Sequence, residues 1–272
     1  MRQLRDARVG PAGSVRLSDG RFITFMSAGP ATGFPVVYCH GAIGSPRWRT
    51  PGLDDVIARF GIRYLVVNRP GFGGSDPAPG RRVVDFASDM GELMTALGHR
   101  RFSIVGVSAG GPYALACGWA LQERIVALAA VSPLSPASDR RARQDLRYRL
   151  PLVPFGPPHG HAVAHACLRA ARMHRQTPAR AMVEDYRVCR RHWGFEPEDV
   201  RVPVTLWHGS GDRLVPLSHT LQLAATIPNS TALVDHEGGH FFYSRRLGDI
   251  VHTLVPAQRR GAFETGALAR AA

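Results

Sequence analysis

The chain has 272 residues, 44% of them hydrophobic, and a formal net charge of +13, so it is long enough for one sizeable core and basic enough to raise the question of a polyanionic partner. Every cationic side chain other than histidine is an arginine, which excludes chemistry that requires a lysine: Schiff bases, pyridoxal phosphate attachment and the phosphate contact of a P-loop. Arginine spread over the whole chain reads as compositional bias, so no specific nucleic-acid partner is expected, and the longest apolar runs, such as Ile125–Val131, fall well short of the roughly 20 residues of a membrane helix.

From the N-terminus, Met1 to Gly13 is basic but lacks the apolar stretch of about 7–15 residues of a secretory leader, so a cytoplasmic location is expected. Short apolar or β-branched runs then recur at Phe22–Met26, Pro35–Cys39, Ile62–Val67, Phe102–Val107, Ile125–Val131, Val204–Trp207 and Ala232–Val234, each bounded by Gly, Pro or polar residues, and read as strands. Segments with helical spacing lie between them: Leu53–Phe60, Val84–Leu97, Pro112–Leu121, Ser218–Ile227 and Leu247–Leu254. This alternation predicts an α/β fold, a mainly parallel sheet with helices on both faces. The first two runs, with Asp19-Gly20 as the turn, are expected to form an antiparallel hairpin leading into it. Cys39, Cys117, Cys167 and Cys189 form no C-x-x-C pair and are read as reduced and structural, with a Cys167–Cys189 bridge open only to an oxidising compartment.

The alternation breaks between Pro133 and Val202, where three helical candidates follow one another around Ala137–Arg149, His161–His174 and Pro178–Trp193. Residues 133–201 are therefore expected to be a helical cap inserted into a core made of residues 1–132 and 202–260, above the carboxyl ends of the strands where open α/β sheets bind ligands. Arg140, Arg141, Arg143, Arg147, Arg149, Arg187, Arg190 and Arg191 make the insertion basic and are expected to face solvent. Leu146, Leu150, Leu152, Val153, Phe155 and Trp193 suggest a mainly hydrophobic binding site, shared with packing of the cap onto the core. Residues 261–272 are expected to fray.

The stretch Phe102-Ser-Ile-Val-Gly-Val-Ser-Ala-Gly-Gly-Pro112 runs an apolar strand through Gly106-Val107-Ser108-Ala109-Gly110 into a helix. A serine at the apex of a strained strand-to-helix turn needs neighbours without bulk two places before and after it, a need Gly106 and Gly110 meet. The helix start places backbone N–H groups and a partial positive charge below Ser108, so Ala109 N–H can hold an oxyanion. A second donor is expected from the loop His40-Gly41-Ala42 after the run Pro35–Cys39: Ala42 N–H, with Gly41 giving the backbone room.

A serine hydroxyl needs a base to take its proton, and the base needs an acid to hold its tautomer. Downstream, His208-Gly-Ser-Gly-Asp212 follows one strand run and Asp235-His-Glu-Gly-Gly-His240 the next, so Asp212 and His240 fall on loops at one edge of the sheet. His236 is the alternative base and Asp235 or Glu237 the alternative acid; the two glycines before His240 favour it, as they give a mobile turn. His40 and His208 are expected to be structural. His161 and His165 have the one-turn spacing of metal ligands but neither the acidic residue nor a third ligand, so no metal and no cofactor is expected.

With His40-Gly41, the run Asn68-Arg69-Pro70-Gly71-Phe72-Gly73-Gly74-Ser75, the serine turn, and the Asp212 and His240 loops in that order, the chain from about Arg21 to Leu254 resembles the serine-nucleophile branch of the α/β-hydrolase superfamily. One departure is Asn68, where the superfamily usually has Asp. The resemblance implies two-step acyl transfer on a small, mainly hydrophobic ester, thioester or amide. A serine nucleophile sets the chain apart from the epoxide hydrolase and haloalkane dehalogenase branches, which use Asp. Carbon–carbon bond hydrolases and cofactor-free perhydrolases share the triad, and a ligand-binding homologue without turnover is the non-enzymatic alternative.

Overall fold

The computed structural model of the chain describes residues 12–42, 50–136, 179–260 and 269–270. Its strands are β1 (Ala12–Arg16), β2 (Phe22–Ala28), β3 (Phe34–Cys39), β4 (Ile62–Val67), β5 (Phe102–Val107), β6 (Ile125–Val131), β7 (Val204–Gly209), β8 (Ser230–Asp235) and β9 (Ala269–Arg270). They form one sheet in the order β1-β2-β4-β3-β5-β6-β7-β8-β9. All pairs from β4 to β8 are parallel, while β1–β2, β2–β4 and β8–β9 are antiparallel. Every residue of central β5 is buried, as a strand covered on both faces requires, whereas β2 near the edge alternates between buried and more exposed positions.

The helices are α1 (Leu53–Phe60), α2 (Phe86–Ala96), α3 (Gly110–Ala120), α4 (Ala179–Cys189), α5 (Leu217–Thr226), α6 (Leu247–Leu254) and the short α7 (Ala257–Arg260). They divide the core in two. On one face Leu53, Ile57 and Phe60 of α1 and Leu247, Ile250, Val251 and Leu254 of α6 pack on Val105, Ala129 and Val131. These residues recur at three- and four-residue intervals, so each helix buries one stripe. On the other face α2, α3 and α5 cover Val37, Ile104, Leu128 and Leu206. α3 is buried at every position from Gly110 to Gly118, because α2 lies on its outer side.

The hairpin differs from its expected composition. Asp19-Gly20 joins β1 to β2, and β2 pairs with β4, not with β3. β1 carries the sequence AGSVR, with no apolar run to announce it, and it is held by register with β2 from Ala12–Met26 to Arg16–Phe22. The tail also differs in part: Ala269–Arg270 pairs with Leu233 and Val234, covering the open hydrogen-bonding edge of β8. Within the expected insertion, the candidates at Ala137–Arg149 and His161–His174 lie outside the described residues, as do Cys167, His161, His165 and the apolar residues from Leu146 to Phe155. The third appears as α4. Its Asp185, Val188 and Cys189 face inward, and Arg187, Arg190 and Arg191 are exposed. Trp193 packs into the core: it is 1% exposed, donates from Nε1 to the Cys189 carbonyl at 3.0 Å and packs on Phe195. Among the described residues, no helix is long and apolar enough to cross a membrane.

The two-face core makes a simple contrast testable. Ile250→Ala should lower the unfolding free energy by about 2–5 kcal/mol, the range for truncating a buried aliphatic side chain. Leu221→Ala, at a position 41% exposed, should stay within about 0.5 kcal/mol. Urea unfolding followed by tryptophan fluorescence checks both.

Candidate active site

Because β3 through β8 are parallel, their carboxyl ends lie on one edge, and Ala42, Ser108, Asp212 and His240 are each found beyond one of them. His40-Gly41-Ala42 follows β3, Asn68-Arg69 follows β4, Ser108 follows β5, Asp212 follows β7 and His240 follows β8. β3 and β5 are neighbours from which the chain departs in opposite directions along the sheet, the switch point where open α/β sheets form a crevice.

Ser108 sits in the left-handed region with φ 55°, where a residue with a Cβ is strained. Its N–H donates to the Val131 carbonyl at 2.8 Å and its carbonyl accepts from Gly111 N–H at 2.9 Å, so the turn is tied to β6 and to the first turn of α3. The turn is tight enough that a Cβ at Gly106 would run into the Gly110 carbonyl, and one at Gly110 into the Cys39 carbonyl. Ala109, the residue preceding α3, is buried, while Ser108 is partly accessible. Gly41 comes against the serine: a Cβ there would stand 3.3 Å from Ser108 Cβ. Ala42 follows it, half-buried.

Asp212 and His240 meet directly. His240 Nδ1 lies 2.7 Å from Asp212 Oδ2, with the carboxylate 1% and the imidazole 8% exposed. The other carboxylate oxygen accepts from Leu214 N–H at 2.8 Å and Val215 N–H at 2.9 Å. Burial pushes the Asp212 pKa up, but the hydrogen bond and charge of His240 and these two backbone donors outweigh it, and the net shift is downward. A carboxylate that stays ionised must accept, so His240 carries a proton on Nδ1 and leaves Nε2 for other work. The alternatives are occupied elsewhere: Asp235 accepts from Arg246 Nε at 2.9 Å and from Glu237 N–H at 3.0 Å, and His236 and Glu237 are exposed.

The two loops are stitched together. Ser210 N–H donates to the Asp235 carbonyl and Gly211 N–H to the Gly238 carbonyl, each at 2.9 Å, while Ser210 Oγ donates to the His236 carbonyl. Gly238 is buried, and a Cβ on it would stand 2.6 Å from Phe242 Cβ. Gly238, read from sequence as a source of mobility, thus makes room for Phe242 of its own loop, while Gly209 at the end of β7, where a Cβ would run into the Gly238 carbonyl oxygen, lets the two loops approach.

Sequence reasoning missed the polar cluster behind the Gly41 loop. Arg69, Arg81, Tyr113 and Asp185 are all buried there, all but Arg81 completely. An arginine in the stretch Asn68–Ser75 was visible; its partner, 116 residues away on α4, had no local signal. Asn68 Nδ2 donates to Thr24 Oγ1 at 2.7 Å, a bond an ionised Asp could not make. His208 is buried, with Nδ1 2.7 Å from Thr220 Oγ1 and Nε2 3.0 Å from the Val215 carbonyl.

A family model of the alpha/beta hydrolase fold matches residues 35–183, more than half of the chain, and one described as serine hydrolase (FSH1) matches residues 138–246. The non-heme chloroperoxidase of Streptomyces lividans is 26% identical over 261 residues, which cover 83% of this chain and 91% of that protein. RutD of Caulobacter sp. (strain K31), named as a carbamate hydrolase, is 28% identical over 230 residues, 76% of this chain and 84% of its own. Among solved structures, the esterase RhEst1 from Rhodococcus sp. ECU1013 superposes with a TM-score of 0.69 at 21% identity, covering 89% of this chain and 97% of that one.

Burial, and then the neighbouring Arg69 charge, hold the His40 pKa down at about 3, and burial lowers that of His208. The His40 ring stays neutral in the folded protein at pH values where the unfolded chain takes up protons, near pH 6.5, and His208 is shifted in the same direction. Below that pH the unfolded state binds more protons, so stability is lost as pH falls, by up to about 1.4 kcal/mol per pH unit for His40. Unfolding free energies measured in urea between about pH 7.5 and about pH 4.5 should show this slope, and His40→Gln should reduce it by roughly one proton; an unchanged slope would mean that His40 titrates normally in the native state.

Proposed function

The chain belongs to the α/β-hydrolase family, and on that premise we propose that it is a serine hydrolase acting on a small, mainly hydrophobic ester, thioester or amide. Ser108 is the nucleophile, His240 the general base and acid, Asp212 the carboxylate that orients it, and the N–H groups of Ala42 and Ala109 the oxyanion hole. The observation that carries this reading is the 2.7 Å contact between His240 Nδ1 and Asp212, at the sheet edge where a serine stands in a strained turn.

Ser108 Oγ adds to the substrate carbonyl as His240 Nε2 takes its proton. The carbonyl oxygen gains the charge, and the two N–H groups stabilise it there more than in the ground state. His240 then gives the proton to the departing alcohol, thiol or amine as the carbonyl re-forms, leaving an acyl group on Ser108. Water, deprotonated by His240, attacks the ester and releases the acid with a second collapse through the same oxyanion site. Asp212 remains a carboxylate throughout, holding the imidazolium of each step. On this reading residues 133–201 are the cap, and its described helix α4 packs Val188 and Cys189 into the core, with Cys189 Sγ 3.9 Å from the Ala109 carbonyl.

A second reading is favoured by the kinship to a protein named as a non-heme chloroperoxidase. Hydrogen peroxide in place of water would attack the same acyl-enzyme and give a peracid, with no change in the residues used. Measuring peracid and acid formed from one ester at graded peroxide concentrations separates the two, and an acid-only product assigns simple hydrolysis.

A fluorophosphonate probe should label the native protein and not Ser108→Ala, and aryl ester hydrolysis should fall to background in the variant while its circular dichroism is unchanged. Hydrolysis at the native rate in Ser108→Ala would remove the nucleophile from this reading. Asp212→Asn should leave the loop intact but present the wrong tautomer of His240, lowering kcat by about 10³–10⁴-fold.

A further inference from the structure

The buried ion pair between Arg69 and Asp185 lies outside the residues to which a chemical step has been given. We propose that Arg69, held by Asp185, is a positioning residue that aims the Ala42 N–H into the oxyanion hole, an inference that rests on the serine hydrolase reading above.

Arg69 follows β4 and its side chain is wholly buried. Nη2 lies 2.7 Å from Asp185 Oδ2 and Nε 3.3 Å from Oδ1, a two-pronged contact that fixes the plane of the guanidinium. The rings of Phe72 and Tyr113 pack beside the guanidinium, with Cζ 5.0 Å and 4.9 Å from the two ring centres. Asp185 is fixed in turn by the Tyr113 hydroxyl, which donates to Oδ1 at 2.7 Å, and by Arg81 Nη2 at 3.4 Å.

The remaining donors of Arg69 go to the loop after β3. Nη1 donates to the His40 carbonyl, Nη2 lies 3.5 Å from the Gly41 carbonyl, and the Arg69 backbone N–H points at His40 Nε2 from 3.5 Å. The His40 ring completes the arrangement. Nδ1 is 2.8 Å from the Gly41 carbonyl, which can only accept, so the proton is on Nδ1 and Nε2 is the acceptor that the Arg69 N–H meets.

A peptide unit is planar, and in the trans form its C=O and N–H point in opposite directions. There are no cis peptide bonds among the described residues. A Gly41 carbonyl held on one side by His40 Nδ1–H and Arg69 therefore sends the Ala42 N–H to the other side. Gly41 itself stands against Ser108, so the amide that follows it is at the nucleophile. An oxyanion donor acts through its direction as much as through its presence, and one free to rock spends part of the transition state misaligned. Arg69 supplies the stop that prevents this, and lysine could not: an ammonium has no planar fork to engage Asp185 and two carbonyls together.

Two variants test the proposal, so that a folded protein is available even if one of them fails. Arg69→Lys keeps a cation beside Asp185 and loses the fork. Arg69→Met/Asp185→Asn removes the Arg69–Asp185 pair of charges together and leaves Tyr113 and Arg81 an amide oxygen as acceptor, although the buried Arg81 loses its ionic partner. Active sites are counted by fluorophosphonate titration, and kcat and KM for an aryl ester are then expressed per titrated site. Affinity for a boronic acid that forms a tetrahedral adduct on Ser108 is measured in parallel.

The expected result is a fall in kcat per site of about 10–100-fold, less than the loss of a whole donor, with KM within about twofold of native and a matching loss of boronate affinity. A purely structural role would lower the number of titrated sites or the melting temperature and leave kcat per site near native. That outcome in either folded variant overturns the proposal. Failure of the native protein to label or to hydrolyse esters would instead strike the serine hydrolase reading, before any variant is compared.

Discussion

The turn at Ser108 can exist only because three backbones pass one another with no side chain between them. β5 enters through Gly106, α3 leaves through Gly110, and the end of β3 lies against Gly110 at Cys39, so that even a methyl group at either glycine would collide with a carbonyl. Strain at φ 55° persists where the surroundings over-determine it. Here they do, through the bond from Ser108 N–H to β6, the bond from Gly111 back to the Ser108 carbonyl, and a helix buried along most of its length. The geometry of the serine is thus a property of the centre of the sheet. The same closeness brings the loop after β3 alongside Ser108, which makes the direction of its amides matter.

The Asp212–His240 pair is built by a different device. Asp212 and His240 stand on separate loops, and a hydrogen bond between side chains on two independent loops would be loose. Backbone bonds from Ser210 and Gly211 to the His240 loop remove that freedom before the side chains meet. Asp212 is then pinned by two N–H donors of its own loop, so that one oxygen is committed to backbone and the other to the imidazole. Each half of the site is rigid for local reasons, and the parallel sheet sets their separation.

What could be read from the sequence follows from the range of the physics behind it. β4, β5, β6, α1 and α6 have the boundaries their apolar spacing indicates, because a stripe at three- and four-residue intervals or a continuous β-branched run is a local signal of burial. The Gly-x-Ser-x-Gly turn and the order of Ser108, Asp212 and His240 were legible for the same reason: small residues and strand ends sit beside the groups they serve. β1 was not, since AGSVR has almost nothing apolar and becomes a strand only by pairing with β2. The assignment of β2 to β4 instead of β3 is likewise a tertiary choice. Gly238-Gly239 showed that the chain needed space, but not that the space at Gly238 was for Phe242. The Asp185 carboxylate, on a helix with an otherwise ordinary amphipathic pattern, gave no sign that it would be buried.

The arginine content has a structural meaning that a count of charges hides. A lysine buried without a partner sheds its proton, whereas a guanidinium stays charged and offers five donors in a plane, so it can tie several carbonyls at once. Arg124 donates to the carbonyls of Gly91, His99 and Arg100 and to Thr95 Oγ1, closing the turn between α2 and β5 with one side chain. Arg21 fixes the β1–β2 hairpin to α2 through both oxygens of Asp89, and Arg259 reaches the Gly61 carbonyl at the end of α1. Arg69 is the extreme case, fully buried beside two rings and bonded to both a carboxylate and a loop. Among the described arginines, Arg69 and Arg81 are buried and Arg21, Arg63, Arg124 and Arg246 half-buried, so part of the arginine content organises carbonyls and carboxylates inside the fold, while residues such as Arg187, Arg190 and Arg191 carry their charge on the surface.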